Sequence, residues 1–281
     1  MIENLHKYLA RLDLSMRDTR SLICVGLDPV ISKMPITDIT KFNCEIVNST
    51  ADHVCAYKPN LGFYEAMGLE GLKHLEATIE HIRNRAPHAI IIGDGKRGDI
   101  ASTSEAYSDA MFNTWGFDVV TVNPYMGFDS MKPFLDIDGK GAFVVCRSSN
   151  NSASQIQDIL VQFQGSEIKL YEYIYNIVRS NDHKNNAGLV LGATNIDPIK
   201  VIRSLDDEIP LLIPGIGSQG GIVEEVVPVS LSKKHKGRCV LPISRAIIFP
   251  NSSRNNLEDY LSLVNKEAKL FSNRMKVYLT S

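Results

Sequence analysis

About eight times along this chain, a short run rich in valine, isoleucine and leucine gives way to a longer segment with helical periodicity. The runs are "SLICVGLDP" near 21, "HVCAYKPN" near 53, "HAIIIGDGK" near 88, "FDVVTVNP" near 117, "GAFVVCR" near 141, "AGLVLGAT" near 187, "PLLIPGIG" near 210 and "GRCVLPISR" near 238. Strands that are apolar on both faces belong to parallel sheets covered by helices. About eight such units in somewhat over 250 residues fit a closed barrel better than a doubly wound sheet, which usually needs fewer strands. The expected fold is therefore α/β, a single (β/α)8 TIM barrel across residues 1–281 with no linker to divide it. Leu5, Tyr8, Leu9 and Leu12 recur at helical spacing, which predicts an N-terminal amphipathic helix over the first eighteen or so residues.

The charge balance narrows the partners. Thirty basic and thirty-two acidic residues leave a net charge of -2, with no basic tract of the kind that tracks nucleic acid. No apolar run approaches membrane-spanning length, and the opening "MIENLHKYLARLDLSMRDTR" has no unbroken apolar core of an export signal. Cys24, Cys44, Cys55, Cys146 and Cys239 are odd in number and form no C-x-x-C pair, which fits a reduced, cytoplasmic compartment. Asn48, Asn150 and Asn251 head N-x-S/T triplets that read as chance matches without secretion.

Polar residues gather at the C-terminal ends of the strands, the end where barrels carry their active sites. They are Asp28, Lys58 with Asn60, Asp94 with Lys96, Asn123, Ser148 with Ser149, Thr194, Gln219 and Arg245. The densest stretch is "IIIGDGKRGDIAST", residues 90–103, where four charges follow three isoleucines. Strand alternation would aim Asp94 and Lys96 the same way, and Asp99 could supply a second carboxylate to the same lysine. If Asp28, Lys58, Asp94 and Lys96 share one mouth, two positive and two negative charges alternate there, each favouring the ionised state of its neighbours.

Two loops stand out. "SSNNSASQIQDILVQFQGS" lies between the fifth strand and a helix expected to begin near Ile168, and it is longer than most βα loops. Residues 147–168 read either as a lid over the mouth or as a solvated insertion, partly an extra helix. "PGIGSQGG", residues 214–221, contains a literal G-x-G-x-x-G at Gly215, Gly217 and Gly220. A dinucleotide fingerprint should open the first βαβ unit, and this one follows the seventh strand. Loops at that place in barrels commonly hold phosphate, and Gln219 and Arg245 would add a neutral donor and a charged fork. Plain glycine turns are the alternative.

None of the seven histidines has H-x-x-x-H or H-E-x-x-H spacing, so none is assigned to a metal, and Cys146 near the mouth has no evident base. Asp94 and Asp99 could bind a divalent cation, although a lysine between them would compete with it.

"GLDP", "YKPNLGFYEAMGLEGL", "GDGKRGDIASTSEAY", "VNPYMG", "CRSSN", "PGIGSQGG" and "SRAI", in order from about residue 20 to about 250, resemble the orotidine 5'-phosphate decarboxylase family, most of all its longer microbial and protist branch. The resemblance implies decarboxylation of orotidine 5'-monophosphate to uridine 5'-monophosphate, the last step of pyrimidine nucleotide synthesis, in a cytoplasmic homodimer with shared sites and no metal or organic cofactor. By that resemblance Lys96 is the proton donor to C6 and Asp94 the carboxylate set against the substrate's own. Asp99 and Thr103 would serve the neighbouring subunit. Asp28, Lys58 and Asn60 would surround the ribose, with Lys58 also orienting Asp94; Ser149 and Ser148 would meet the pyrimidine; Gln219 and Arg245 would grip the phosphate. Pro228 in "PVSLSKKHKG" departs from the family pattern and predicts a short or bent helix, and the tail ending "LFSNRMKVYLTS" predicts a terminal helix.

Two other readings compete. A metal-dependent enzyme acting on a sugar phosphate through an enediolate can share D-x-K-x-x-D, but usually carries acidic ligands where Lys58 stands. A phosphate-ligand binding module without catalysis would not need Asp94, Lys96 and Asp99 intact.

Overall fold

A computed structural model describes residues 7–217, 219–250 and 256–279. Leu5, His6, Ser218, Asn251, Thr280 and Ser281, which figure in the expectations above, lie outside the described residues. The strands are β1 (Ile23–Leu27), β2 (Ala56–Pro59), β3 (Ile90–Arg97), β4 (Val119–Val122), β5 (Gly141–Arg147), β6 (Leu160–Phe163), β7 (Ser166–Lys169), β8 (Ala187–Leu191), β9 (Leu211–Leu212) and β10 (Cys239–Ile243). All but β6 and β7 close into one parallel barrel, in chain order, with β10 returning to β1 through Ile23 opposite Leu241. Each of the eight apolar runs supplies one barrel strand. Every residue of β1, β2, β4, β8 and β10 is buried, as expected for strands packed between the barrel interior and the surrounding helices.

The N-terminal helix, Tyr8–Thr19, seals the end of the barrel opposite the mouth. Tyr8 is fully buried beneath the start of β5, where a Cβ on Gly141 would come within 2.3 Å of its ring. Truncating a buried aromatic of this size costs about 3–5 kcal/mol, so glycine at 141 and tyrosine at 8 together hold the helix in place. Asp118, just ahead of β4, accepts from Arg11 of that helix at 2.7 Å, from Arg83 at 2.8 Å and from the Ile91 amide at 2.8 Å. Burial pushes its carboxyl up, but the two guanidinium groups and the amide outweigh it and hold it below the usual carboxylate range.

The helix containing Pro228 is short, Val223–Ser230. The tail forms a helix over Leu257–Leu279, and its Tyr260 packs beside Phe42, with ring centroids 6.4 Å apart.

The long connection after β5 differs from a purely polar loop. A helical turn over Ser154–Gln157 matches the extra-helix reading, but β6 and β7 then pair as an antiparallel hairpin from Leu160 opposite Lys169 to Phe163 opposite Ser166. The next helix begins at Leu170, and Ile168 belongs to the hairpin. Gln164 and Gly165 both adopt positive φ, 49° and 83°, as a two-residue turn of this hand requires. Arg147 ties the segment down through a bidentate pair with Asp158 at 2.9 and 3.0 Å.

Candidate active site

The C-terminal ends of the strands surround a cleft of about 300 Å³. Asp94 stands at its floor, 8% exposed, where β3 leaves the barrel. One carboxylate oxygen accepts from Lys58 Nζ at 2.5 Å; the other accepts from Lys96 Nζ at 2.6 Å and from Thr121 Oγ1 at 2.9 Å. Burial alone would push this carboxyl up. The two ammonium groups outweigh it and hold it well below the usual carboxylate range. For Lys58, burial opposes the charge, while Asp94 and Asp28 more than compensate and raise its pKa above the ordinary lysine value. Both groups are therefore ionised at neutral pH.

The two lysines are not equivalent. The Lys58 side chain is 7% exposed and that of Lys96 is 52% exposed. Lys58 is a fixed counter-charge, and Lys96 has room to meet a ligand. Plain strand alternation does not account for how Lys96 reaches Asp94. The β3–β4 register runs Ile92 to Val119 and Gly93 to Val120, then jumps to Arg97 opposite Val122. Within that bulge Lys96 takes φ 45°, a left-handed conformation that costs a residue with a Cβ about 1–3 kcal/mol. The bend turns the ammonium back over Asp94.

Asp28, Asn60, Ser148, Ser149, Gln219 and Arg245 line the same cleft, so nine of the eleven residues given a role by the family resemblance converge there once Lys58, Asp94 and Lys96 are included. Asp28 Oδ1 is enclosed and has no hydrogen-bond partner among the described residues, leaving an acceptor for a hydroxyl. Asn60 caps the helix Leu61–Glu65 by accepting from the Gly62 amide at 3.2 Å. Ser148 Oγ is anchored on Asn150 Oδ1 at 2.7 Å, and Gln157 Nε2 donates to it at 3.0 Å. Gly215, Gly217 and Gly220 all have positive φ, and the loop they shape brings Gln219 to the cleft beside Arg245. Arg245 forms no ion pair among the described residues, which leaves its guanidinium available to an anion.

Asp99 and Thr103 do not line the cleft. Asp99 makes no ion pair with Lys96 among the described residues, contrary to the expectation that it supplies a second carboxylate to the same lysine. It instead accepts from the Ile100 amide at 2.7 Å while its own amide donates to Ser104 Oγ at 3.0 Å. The turn into the helix Ala101–Asp109 carries it away from its own mouth. Asn123 and Thr194 serve the backbone, Asn123 accepting from the Tyr125 amide and Thr194 donating to the Ser149 carbonyl. Thr121 and Ser244 line the cleft and were not singled out. A threonine inside "VVTVNP" reads as an ordinary β-former. Its signal is a hydroxyl in the middle of a wholly buried strand, where it must find a partner.

No group of three or more His, Cys, Asp or Glu side chains that could hold a metal ion occurs among the described residues. Both oxygens of Asp94 are engaged by lysines, and burial pushes the Cys146 thiol up, away from a reactive thiolate.

The chain as a whole is similar in sequence and fold to known proteins. A curated orotidine 5'-phosphate decarboxylase of Thermomicrobium roseum is 40% identical over 250 residues, covering 86% of this chain and 87% of the relative. A crystal structure from Toxoplasma gondii, described as a putative orotidine-monophosphate-decarboxylase, superposes with TM-score 0.81 at 29% identity, covering 98% of both chains. The Leishmania donovani OMP decarboxylase gives TM-score 0.83 at 26% identity over 98% of this chain and 100% of that one. The family model "Orotidine 5'-phosphate decarboxylase / HUMPS family" matches residues 21–260, and the chain belongs to that family.

Proposed function

We propose that this cleft decarboxylates orotidine 5'-monophosphate with Lys96 as the proton donor and Asp94 as the carboxylate facing the one that leaves. The activity is conversion of orotidine 5'-monophosphate to uridine 5'-monophosphate and carbon dioxide in pyrimidine nucleotide synthesis. One observation carries the role assignment: a buried carboxylate held ionised between a fixed lysine and a half-exposed one, at the floor of the cleft that Gln219 and Arg245 also line.

The chemistry is heterolytic. The bond from C6 to the carboxylate carbon breaks, its electron pair stays on C6, and neutral carbon dioxide leaves. C6 takes a proton from Lys96 Nζ, and the resulting amine regains one from solvent. No electron acceptor is required, so the protein must supply only a proton and a field. The Lys96 ammonium stabilises charge as it develops on C6, while repulsion from Asp94 raises the energy of the bound carboxylate. Gln219 and Arg245 bind the 5'-phosphate, Asp28, Lys58 and Asn60 the ribose, and Ser148 and Ser149 the pyrimidine. Phosphate contacts far from C6 help organise the reacting end of the substrate.

Residues 147–168 act as a lid over the mouth, whose edge Ser148, Ser149 and Asn150 of this segment already line. Asp99 and Thr103 complete the site of a second subunit in a homodimer. Exposed apolar side chains on the neighbouring turns after β3 and β4 support such an interface: Ile100 at 59%, Tyr125 at 86% and Met126 at 48%. A reducing, cytoplasmic setting is supported by five unpaired cysteines. No helix of the described residues is long and apolar enough to cross a membrane.

The test is the loss of orotidine 5'-monophosphate absorbance on adding purified protein, with EDTA present throughout. Disappearance of substrate with uridine 5'-monophosphate as product is expected. No turnover by folded, dimeric protein would refute the activity, and turnover abolished by EDTA would refute the metal-free mechanism.

A further inference from the structure

Thr121 occupies an unusual place in the barrel. It is the third residue of β4, 1% exposed, and its hydroxyl faces the cleft instead of the surrounding helices. Opposite it the ladder is broken. Gly93 pairs with Val120 and Arg97 with Val122, so Asp94, Gly95 and Lys96 together oppose the single residue Thr121. In a regular ladder a strand carbonyl would accept the Lys96 N–H. Here Thr121 Oγ1 accepts it, at 2.9 Å.

A hydroxyl has one proton to give. With the Lys96 amide donating into its oxygen, the Thr121 proton points to Asp94 Oδ1, 2.9 Å away. One side chain thus ties together the backbone of the half-exposed lysine and the carboxylate of its buried partner. The tie also stabilises the left-handed φ of Lys96, a conformation that has to be held by its surroundings.

The consequence appears during proton delivery. Asp94 Oδ1 has two donors, Lys96 Nζ and Thr121 Oγ1, while Oδ2 has Lys58. When Lys96 has given its proton to C6 it is a neutral amine, and its hold on Oδ1 weakens. Thr121 and Lys58 then keep one donor on each oxygen, so the carboxylate stays in place until Lys96 is protonated again.

We propose that Thr121 is a positioning residue for this reaction, fixing the separation of Lys96 and Asp94 through a single hydroxyl. The inference rests on the decarboxylase reading above, and wild-type turnover is therefore measured first. In Thr121→Val the side-chain volume is nearly kept and both hydrogen bonds are lost; kcat should fall about 10- to 100-fold, as expected when reacting groups lose their alignment. Affinity for uridine 5'-monophosphate, which has no leaving carboxylate, should change by no more than about twofold, because Thr121 holds catalytic groups rather than phosphate or ribose. Thr121→Ser keeps the hydroxyl and should recover most of the lost kcat.

Full kcat in Thr121→Val, or a Thr121→Ser enzyme as slow as the valine variant, would overturn the proposal while leaving the decarboxylase reading intact. Equal losses in kcat and nucleotide affinity would mean that the residue merely supports the barrel. If the valine variant does not fold, Thr121→Ala carries the same expectations. An inactive wild-type protein would instead remove the reading on which the proposal stands.

Discussion

Two buried aspartates sit at opposite ends of this barrel, each between two cations. Asp118 lies at the sealed end with Arg11 and Arg83, and Asp94 at the mouth with Lys58 and Lys96. In both, the cations outweigh burial and hold the carboxyl below its usual range. The electrostatics are alike, but the chemistry available is not. Guanidinium groups do not release protons in proteins, whereas an ammonium can. Asp118 is covered by the N-terminal helix, while Asp94 opens onto a cleft. A buried ion cluster becomes a proton-transfer site only when a cation can yield its proton and space exists for an acceptor.

The largest expected break in this comparison is Lys96→Ala. Turnover should fall by about 10³-fold, the order of a lost general acid, with uridine 5'-monophosphate binding still measurable by calorimetry. An alanine variant retaining most of its activity would remove Lys96 from the donor role. Arg245→Ala removes charge-assisted contacts worth about 1.5–3 kcal/mol. Affinity for uridine 5'-monophosphate should drop about 10- to 100-fold, and an unchanged affinity would show that the phosphate lies elsewhere.

Asp118→Asn tests the sealed end. Breaking a buried pair costs about 3–5 kcal/mol, but Arg11 and Arg83 are 32% and 33% exposed, so solvent recovers part of the loss. About 2 kcal/mol of stability should go in urea unfolding, with turnover by the folded enzyme unaffected. A variant as stable as the parent would mean that the cluster contributes specificity alone.

The same substitution gives the pH sign. A depressed native pKa stabilises the fold fully above the unfolded value near 4 and ceases to do so as pH falls through the native value. Wild-type stability should therefore fall more steeply than that of Asp118→Asn below about pH 4. Parallel curves would remove Asp118 from acid unfolding.

The smallest signal separates the ends in another way. The sealed end is complete within one chain, while the proposed mouth borrows Asp99 from a neighbour. Mixing Asp99→Ala and Lys96→Ala subunits should restore a fraction of activity, because one site of each mixed dimer regains both groups. A mixture no more active than its components would make each mouth self-sufficient.

The barrel was legible because a parallel strand buried on both faces leaves a plain apolar run, and each of the eight runs became a strand. Asp94, Lys96 and Lys58 were legible as charges at strand ends. The bulge that joins the first two was not, because nothing in "GDGKRGD" marks lysine for positive φ. Thr121 was hidden by its own β propensity. The hairpin after β5 was masked by its polar face, although "LVQFQGSEIK" carries the signal in two alternating runs about a Gln-Gly pair. Spacing alone leaves Asp99 within reach of its own lysine, because it does not reveal the direction of the following turn, which carries Asp99 away from its own mouth.

The seal made by Tyr8 and Gly141 also determines how the molecule can be handled. The terminal helix brings Leu279 to a groove shared with Asp13 and Arg17 of the first helix, so both ends of the described chain reach the face away from the cleft. A module joined next to Lys7 or Leu279 would therefore start beneath the barrel, on the side away from the substrate entrance.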